Sequence, residues 1–387
     1  MKVMMVEGTN LDSPIKVSCH HYARLFSERG DEVFYLSPSV SPFHLMVFRR
    51  LGDTFLKFMR WLKYHSGNKS NNGILEYIPL VPLPIHNSFV LRSNFVLQNS
   101  LSFSIPPLKK VLERAGFLKP DVLILSQITM HQVFDMVDAK VKIYRAADDI
   151  TEFDQVPTGL VDIERRIVKK ANLVITTAKR LVDRFSKIRT EGIFYLPNGV
   201  ELDLFRIGKE ELPQEYHSIK GLRVIYVGSV EYWFDEDLIA FLAENLKEVS
   251  FIIIGPLKRG LTRLKEYRNV HILGRRPYKK LPGYLNNSHI AIIPFKRDKM
   301  IESVCPVKLF EYMACGLPVV STRWSEMEAL KSPACLASSP EEFLEKLKYL
   351  LENHYNTDKG EFLEFARNNS WKKRFNILRK IIDGKLR

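Results

Sequence analysis

Cysteine is scarce in this chain: four residues in 387, at positions 19, 305, 315 and 335, with no Cys-x-x-Cys among them. That argues against a disulfide framework and against a zinc knuckle. Long apolar runs are missing too; none approaches the roughly 20 residues that a membrane-spanning helix needs. The opening strand-like segment, Met1–Val6, is not followed by Gly-x-Gly-x-x-Gly, which counts against a dehydrogenase. Because that segment already reads as a strand and not as a leader, a cytosolic chain is expected. Acidic charge is in deficit, with 44 Asp and Glu against 58 Lys and Arg, a net +14. Such a balance favours an anionic partner: a membrane surface, nucleic acid or a phosphorylated substrate. What remains is ordinary globular composition, 45% hydrophobic and 26% charged, at a length that suits two domains.

Read in order, the chain alternates short apolar runs with amphipathic stretches, which implies parallel α/β sheets. Strand 2–6 runs into Glu7-Gly8-Thr9-Asn10, where Gly8 lets the backbone turn sharply or approach a ligand. A helix over about 16–29 carries His20-His21 near its start, a place where histidine is most often a cap or surface residue. Residues 43–64 project apolar Phe48, Leu51, Phe55, Phe58, Met59 and Leu62 on one side and Arg49, Arg50, Lys57, Arg60 and Lys63 on the other. That profile fits either an interfacial membrane helix or a surface helix packed on its own domain. Residues 78–84 are expected to be a strand with edge prolines. Strand 141–144 leads to Arg145-Ala-Ala-Asp148-Asp149. Ligands of open α/β sheets sit beyond strand C-termini, where a general base belongs, although an aspartate there also caps helices. Pro197-Asn198-Gly199 is a turn, and polar residues 208–220 read as linker. A second α/β series starts at 223, with Gly228-Ser229 at a strand end where a diphosphate can come close to the backbone. Asp235 heads a helix, so capping explains it better than a metal does.

The most informative stretch is Cys305-Pro-Val-Lys-Leu-Phe-Glu-Tyr-Met-Ala-Cys-Gly-Leu-Pro-Val-Val-Ser321. It reads as loop, helix, turn and buried strand, with Pro306 at the first helical position and Gly316 and Pro318 ending the helix. Lys308 and Glu311 project from one side of its first turns. A helix N-terminus at Pro306-Val307 with a lysine beside it attracts phosphate. A carboxylate one turn deeper can accept hydrogen bonds from a ribose diol. The bland alternative is an i,i+3 salt bridge.

Pro306-x-Lys308-x-x-Glu311-Tyr312-Met313-Ala314-x-Gly316-x-Pro318-Val319-Val320 resembles the donor-nucleotide motif of GT-B glycosyltransferases. Among these it is most similar to bacterial exopolysaccharide enzymes such as the membrane-associated glucuronosyltransferase of xanthan assembly. Cys305 stands where that group often has asparagine, and Ser303 where many relatives have a glutamate. The resemblance implies an α/β fold of two Rossmann-like domains facing a cleft, 1–200 and 201–370, with the C-terminal helix, 371–387, crossing back to the first. It implies transfer of a sugar from a nucleotide-diphosphate donor to a saccharide or lipid-linked acceptor, with no cofactor and no metal. The donor site would comprise Gly228, Ser229, Arg275, Pro306, Val307, Lys308 and Glu311. The acceptor side would comprise Gly8, Asn10, His20 and His21. The inverting base would be Asp148, with Asp149 second. Two other classes compete: a nucleic-acid-binding protein, which the scattered basic residues do not favour, and a non-catalytic binder of nucleotide sugar or lipid.

Overall fold

The computed structural model describes residues 1–42, 61–62, 68–69, 73–86, 91–153, 156–354 and 358–387. Most of the 43–64 segment considered above therefore lies outside the described residues. The chain divides into two compact units, Met1–Leu196 with Phe375–Arg387, and Pro197–Arg374.

In the N-terminal unit the strands are β1 (Lys2–Val6), β2 (Glu32–Leu36), β3 (Asn68–Lys69), β4 (Leu75–Tyr77), β5 (Val122–Leu125), β6 (Val141–Ala146), β7 (Leu173–Thr176) and β8 (Ile193–Tyr195). They form one sheet in the order β3-β4-β2-β1-β5-β6-β7-β8, parallel except for β3 against β4. Central strands such as Val-Leu-Ile-Leu in β5 and Leu-Val-Ile-Thr in β7 are buried along their whole length, as parallel strands covered on both faces must be. Helix Thr158–Lys170 shows the complementary pattern, burying Leu160, Ile163, Ile167 and Val168 while Lys169 and Lys170 close its last turn. Strand order reverses between β1 and β5, so the segments after these strands, Gly8 and Gln127, meet at a switch point; a Cβ on Gly8 would lie 3.3 Å from Gln127 Oε1.

The C-terminal unit holds β9 (Leu222–Val227), β10 (Val249–Ile254), β11 (Val270–Gly274), β12 (Ile290–Ile293), β13 (Val319–Thr322) and β14 (Cys335–Ala337), in the order β11-β10-β9-β12-β13-β14 and parallel throughout. Its switch point lies between β9 and β12. The last helix, Trp371–Leu386, starts in this unit, where Trp371 N–H donates to Val200 O at 3.0 Å. From Phe375 onward it belongs to the N-terminal unit, with the Phe375 ring edge-on to Phe26 at 4.8 Å.

Two expectations are corrected. The strand placed at 78–84 is Leu75–Tyr77 instead, because Pro79, Pro82 and Pro84 lack the N–H that a ladder requires; beyond Tyr77 only Leu80 makes isolated bridges. The linker at 208–220 is partly packed structure: in the turn Gln214–Ser218, Tyr216 is buried edge-on to Tyr284 at 5.5 Å.

Candidate functional site

After β12 the chain makes a short turn, Ile301–Ser303, and enters helix Val307–Ala314. Pro306 is its N-cap (φ −78°, ψ 113°), one position before the helical start expected for it. Leu309, Phe310, Tyr312, Met313 and Ala314 are buried, which fixes how the helix is rolled on the sheet. Tyr312 locks that roll: its hydroxyl accepts from Val227 N–H (2.7 Å) and donates to Val227 O (3.2 Å) at the end of β9. One turn earlier, Lys308 is half-buried, its Nζ 5.0 Å from the Tyr226 ring centre and 4.4 Å from that of Phe295. These rings come from β9 and from the second residue past β12, so the ammonium sits at the switch point. Gly228 leaves it room; a Cβ there would come within 2.8 Å of Lys308 Cε and 2.9 Å of Nζ. The Tyr226 hydroxyl donates to Ser229 O at 2.8 Å, which holds the Gly228-Ser229 turn in place. Burial lowers the Lys308 pKa to about 8, with Glu311 opposing the shift.

Glu311 lies further along the same helix, 7% exposed, its Oε1 accepting from the Tyr278 hydroxyl at 3.2 Å. Burial raises its pKa to about 7, against the pull of Tyr278 and Lys308. Among the described residues no ion pair joins Lys308 to Glu311, so the salt-bridge alternative is not what the helix forms. Of the two arginines after β11, Arg275 is exposed, whereas Arg276 pairs with Glu215 at 2.6 Å and bonds Leu273 O at 2.5 Å. Glu302 accepts from Ser325 N–H at 2.9 Å, and Ser303 is buried with its hydroxyl directed to Met300 O at 3.4 Å. The helix entry is clamped by Asn198, whose Nδ2 donates to Cys305 O (2.8 Å) and whose N–H donates to Cys305 Sγ (3.3 Å). Asp235 caps its helix by accepting from Leu238 N–H at 3.0 Å.

In the N-terminal unit the two aspartates after β6 have different surroundings. Asp149 is buried and accepts from Thr151 N–H (3.1 Å) and Thr151 Oγ1 (2.6 Å). It also pairs with Arg184, which pairs in turn with Glu164. Glu164 accepts from the Tyr144 hydroxyl at 2.6 Å, so Asp149 belongs to a closed structural network. Asp148 is exposed and makes no hydrogen bond or ion pair among the described residues. His20 is used by the fold: Nδ1 accepts from Val17 N–H (3.0 Å) at the helix start and Nε2–H donates to Asn10 O (2.9 Å). Burial lowers the pKa of His20 and takes that of His21 to about 3, so both rings are neutral at pH 7. Gly8 is exposed, and Asn10 enters through its main chain.

Residues 221–353 match the family model described as glycosyl transferases group 1. Over 178 residues the chain is 26% identical to TuaH of Bacillus subtilis (strain 168), named as a teichuronic acid biosynthesis glycosyltransferase. That stretch is 44% of this chain and 45% of TuaH, less than half the length of the curated relative. Among solved structures, sucrose-phosphate synthase from Thermosynechococcus elongatus aligns with a TM-score of 0.74 at 12% identity, covering 99% of this chain and 98% of that one. Anabaena Alr3699/HepE in complex with UDP and glucose aligns at 0.70 with 14% identity, covering 99% of both chains. The chain has the GT-B fold. Within this GT-B chain the family match takes in Gly228, Ser229, Arg275, Pro306, Val307, Lys308 and Glu311. Asp148, Asp149 and the Gly8, Asn10, His20 and His21 group lie outside it. Sequence reasoning missed Tyr278 and the clamp made by Asn198. The Pro-Asn-Gly turn signalled the second; nothing local signalled the first.

Proposed function

We propose that this chain is a glycosyltransferase that moves a hexose or hexuronic acid from a nucleotide-diphosphate donor to a saccharide or lipid-linked acceptor. The observation that carries this reading is Lys308: a half-buried ammonium at a sheet switch point, beside a helix N-terminus and a glycine, with no carboxylate paired to it among the described residues. Such a charge is complemented by a diphosphate, and Glu311, on the same helix, by a ribose diol. The leaving nucleotide diphosphate is anionic, so catalysis calls for stabilising that charge more than for an acid, and Lys308 with the Pro306-Val307 helix start supplies it. Asp148 is the base that removes the acceptor hydroxyl proton, which gives inversion at the anomeric carbon. Its exposure and its lack of a hydrogen-bond or ion-pair partner among the described residues support that assignment over Asp149. Gly8, Asn10, His20 and His21 border the acceptor side, the two histidines as neutral groups that shape it. The reaction takes place in the cytoplasm, at an anionic membrane surface where the acceptor is lipid-linked.

A thermal-shift screen of UDP, GDP, dTDP and ADP tests the donor half, because ligand in excess of its Kd raises the unfolding temperature. One or more of these should stabilise wild type, and Lys308→Ala should abolish the effect while remaining folded. The charge-assisted contact is worth roughly 1.5–3 kcal/mol, about tenfold to a hundredfold in affinity. Release of nucleotide only when a sugar acceptor is present would then separate a transferase from a mere binder. No stabilisation by any of the four nucleotides would remove the central claim.

A further inference from the structure

One oxygen of Glu311 is engaged before any ligand arrives. Its Oε1 accepts from the hydroxyl of Tyr278, 3.2 Å away, a residue 33 positions earlier in the chain. Tyr278 opens the single turn Tyr278–Lys280 after β11. The chain reaches it through Gly274, whose φ of +68° lies in the left-handed region, and through Pro277 at φ −58° and ψ 136°. The tyrosine ring is held edge-on to the fully buried Phe205, centres 5.3 Å apart at 66°. A phenol fixed by its ring thus fixes a carboxylate that would otherwise sample several rotamers. Ordering a glutamate in advance removes that entropy cost from the binding step. Oε2 and the second lone pair of Oε1 stay available to a ligand that brings two hydroxyl donors.

We infer that Tyr278 is the positioning residue of Glu311, and that it makes the donor site select a ribose diol over a 2′-deoxyribose. This rests on the donor reading above and names the part of the nucleotide that the pair discriminates. The charged groups around Glu311 are Lys308 on its own helix and Glu201 from the segment after β8, the first favouring the carboxylate and the second opposing it. The ionisable Tyr312 and Cys315 stand close on the helix side, and both feel its charge. The Tyr278 hydrogen bond stabilises the ionised form, so its loss moves the protonation of Glu311, near pH 7, to higher pH.

The test is calorimetric titration of wild type, Tyr278→Phe, Glu311→Gln and the double variant with UDP and with 2′-deoxy-UDP, between pH 6 and pH 9. Tyr278→Phe should weaken UDP about tenfold and 2′-deoxy-UDP about twofold or less, so that the ratio between them collapses. The acid-side loss of UDP affinity should begin at higher pH than in wild type. The double variant should bind no worse than Glu311→Gln, since both changes act through one carboxylate. Phe205→Leu keeps the phenol but removes its edge contact, and should shift the ratio in the same direction by less. A folded Tyr278→Phe with the wild-type ratio and pH profile overturns the inference while leaving the donor reading intact. A wild type that binds no ribonucleoside diphosphate overturns the donor reading, and this inference with it.

Discussion

At the scale of single residues, adjacent aspartates stand in opposite surroundings, one buried and paired, the other exposed. Asp149 caps the turn at 150–152 and neutralises half-buried Arg184, so its loss should be felt in stability. Asp149→Ala removes a cap and leaves a cation short of one partner, an expected cost of roughly 2–4 kcal/mol in denaturant unfolding. Asp148→Asn touches no partner and should unfold as wild type does. It should nevertheless lose about 10²–10⁴-fold in transfer rate with donor affinity unchanged, because an amide cannot take a proton. A fully active Asp148→Asn would overturn the base assignment and the inverting mechanism with it. The donor pair makes a second residue-level prediction. A UDP-sugar stays ionised across neutral pH, so its affinity follows the protein groups alone. Lys308 must be protonated and has a pKa lowered to about 8; Glu311 must be ionised and has one raised to about 7. Affinity should therefore fall above pH 8 as the ammonium is lost, and below pH 7 as the carboxylate is protonated. The peak should lie between, and Glu311→Gln should remove only the acid-side fall. A pH-independent affinity from 6 to 9 would show that neither group meets the donor.

At the scale of elements, the proposed donor site is where three strand ends and one helix start come together. The ends of β9, β10 and β11 are glycines or lead into them: Gly228 N–H donates to Ile254 O at 2.8 Å and Gly255 N–H to Gly274 O at 3.0 Å. Gly255 has φ +150°, and a Cβ on it would overlap the Gly228 carbonyl. Gly255→Ala should thus cost more than about 3 kcal/mol or prevent folding. Gly228→Ala is the subtler test, since its Cβ meets side-chain atoms only, the flexible end of Lys308 and the Tyr226 hydroxyl at 2.9 Å. It should fold, displace the ammonium and weaken nucleotide binding about tenfold or more, read by thermal shift. These elements were legible in the sequence to different depths. The central parallel strands were plain, because fully buried runs such as Val122–Leu125 and Ile290–Ile293 leave no polar face to mislead, whereas the less buried β8 and β14 were not read as strands. Lys308 and Glu311 stood out as a motif at fixed spacing, and Gly228 as a small residue at a strand end. Which aspartate would cap was left open, since the choice depends on Arg184, 35 residues away. That Asn10 and Val17 occupy both ring nitrogens of His20 carried no local signal. Tyr278 was invisible for the same reason: its partner lies 33 residues further along the chain, and only folding brings them together.

At the scale of the whole molecule, the charge of +14 exceeds what one diphosphate needs. Among the described residues no helix is long and apolar enough to cross a membrane. An anionic bilayer would use such an excess, and the 43–64 stretch has the pattern for docking on one, with Phe48, Phe55 and Phe58 opposite Arg49, Arg50, Lys57 and Arg60. Basic residues near an anionic surface contribute about 1 kcal/mol each, screened over roughly 10 Å at 0.1 M salt, whereas inserted aromatics add a part that salt does not remove. Flotation with vesicles should therefore show binding to anionic lipid, little to neutral lipid, and only partial release at high salt. Phe55→Asp with Phe58→Asp should release the protein from vesicles while transfer to a soluble acceptor analogue survives. Should that double variant unfold, the apolar side packs on its own domain. Complete release of wild type by salt would mean attraction without insertion. If wild type ignores anionic vesicles altogether, the basic excess serves polyanionic substrate, and nucleotide-sugar affinity should then fall steeply with ionic strength.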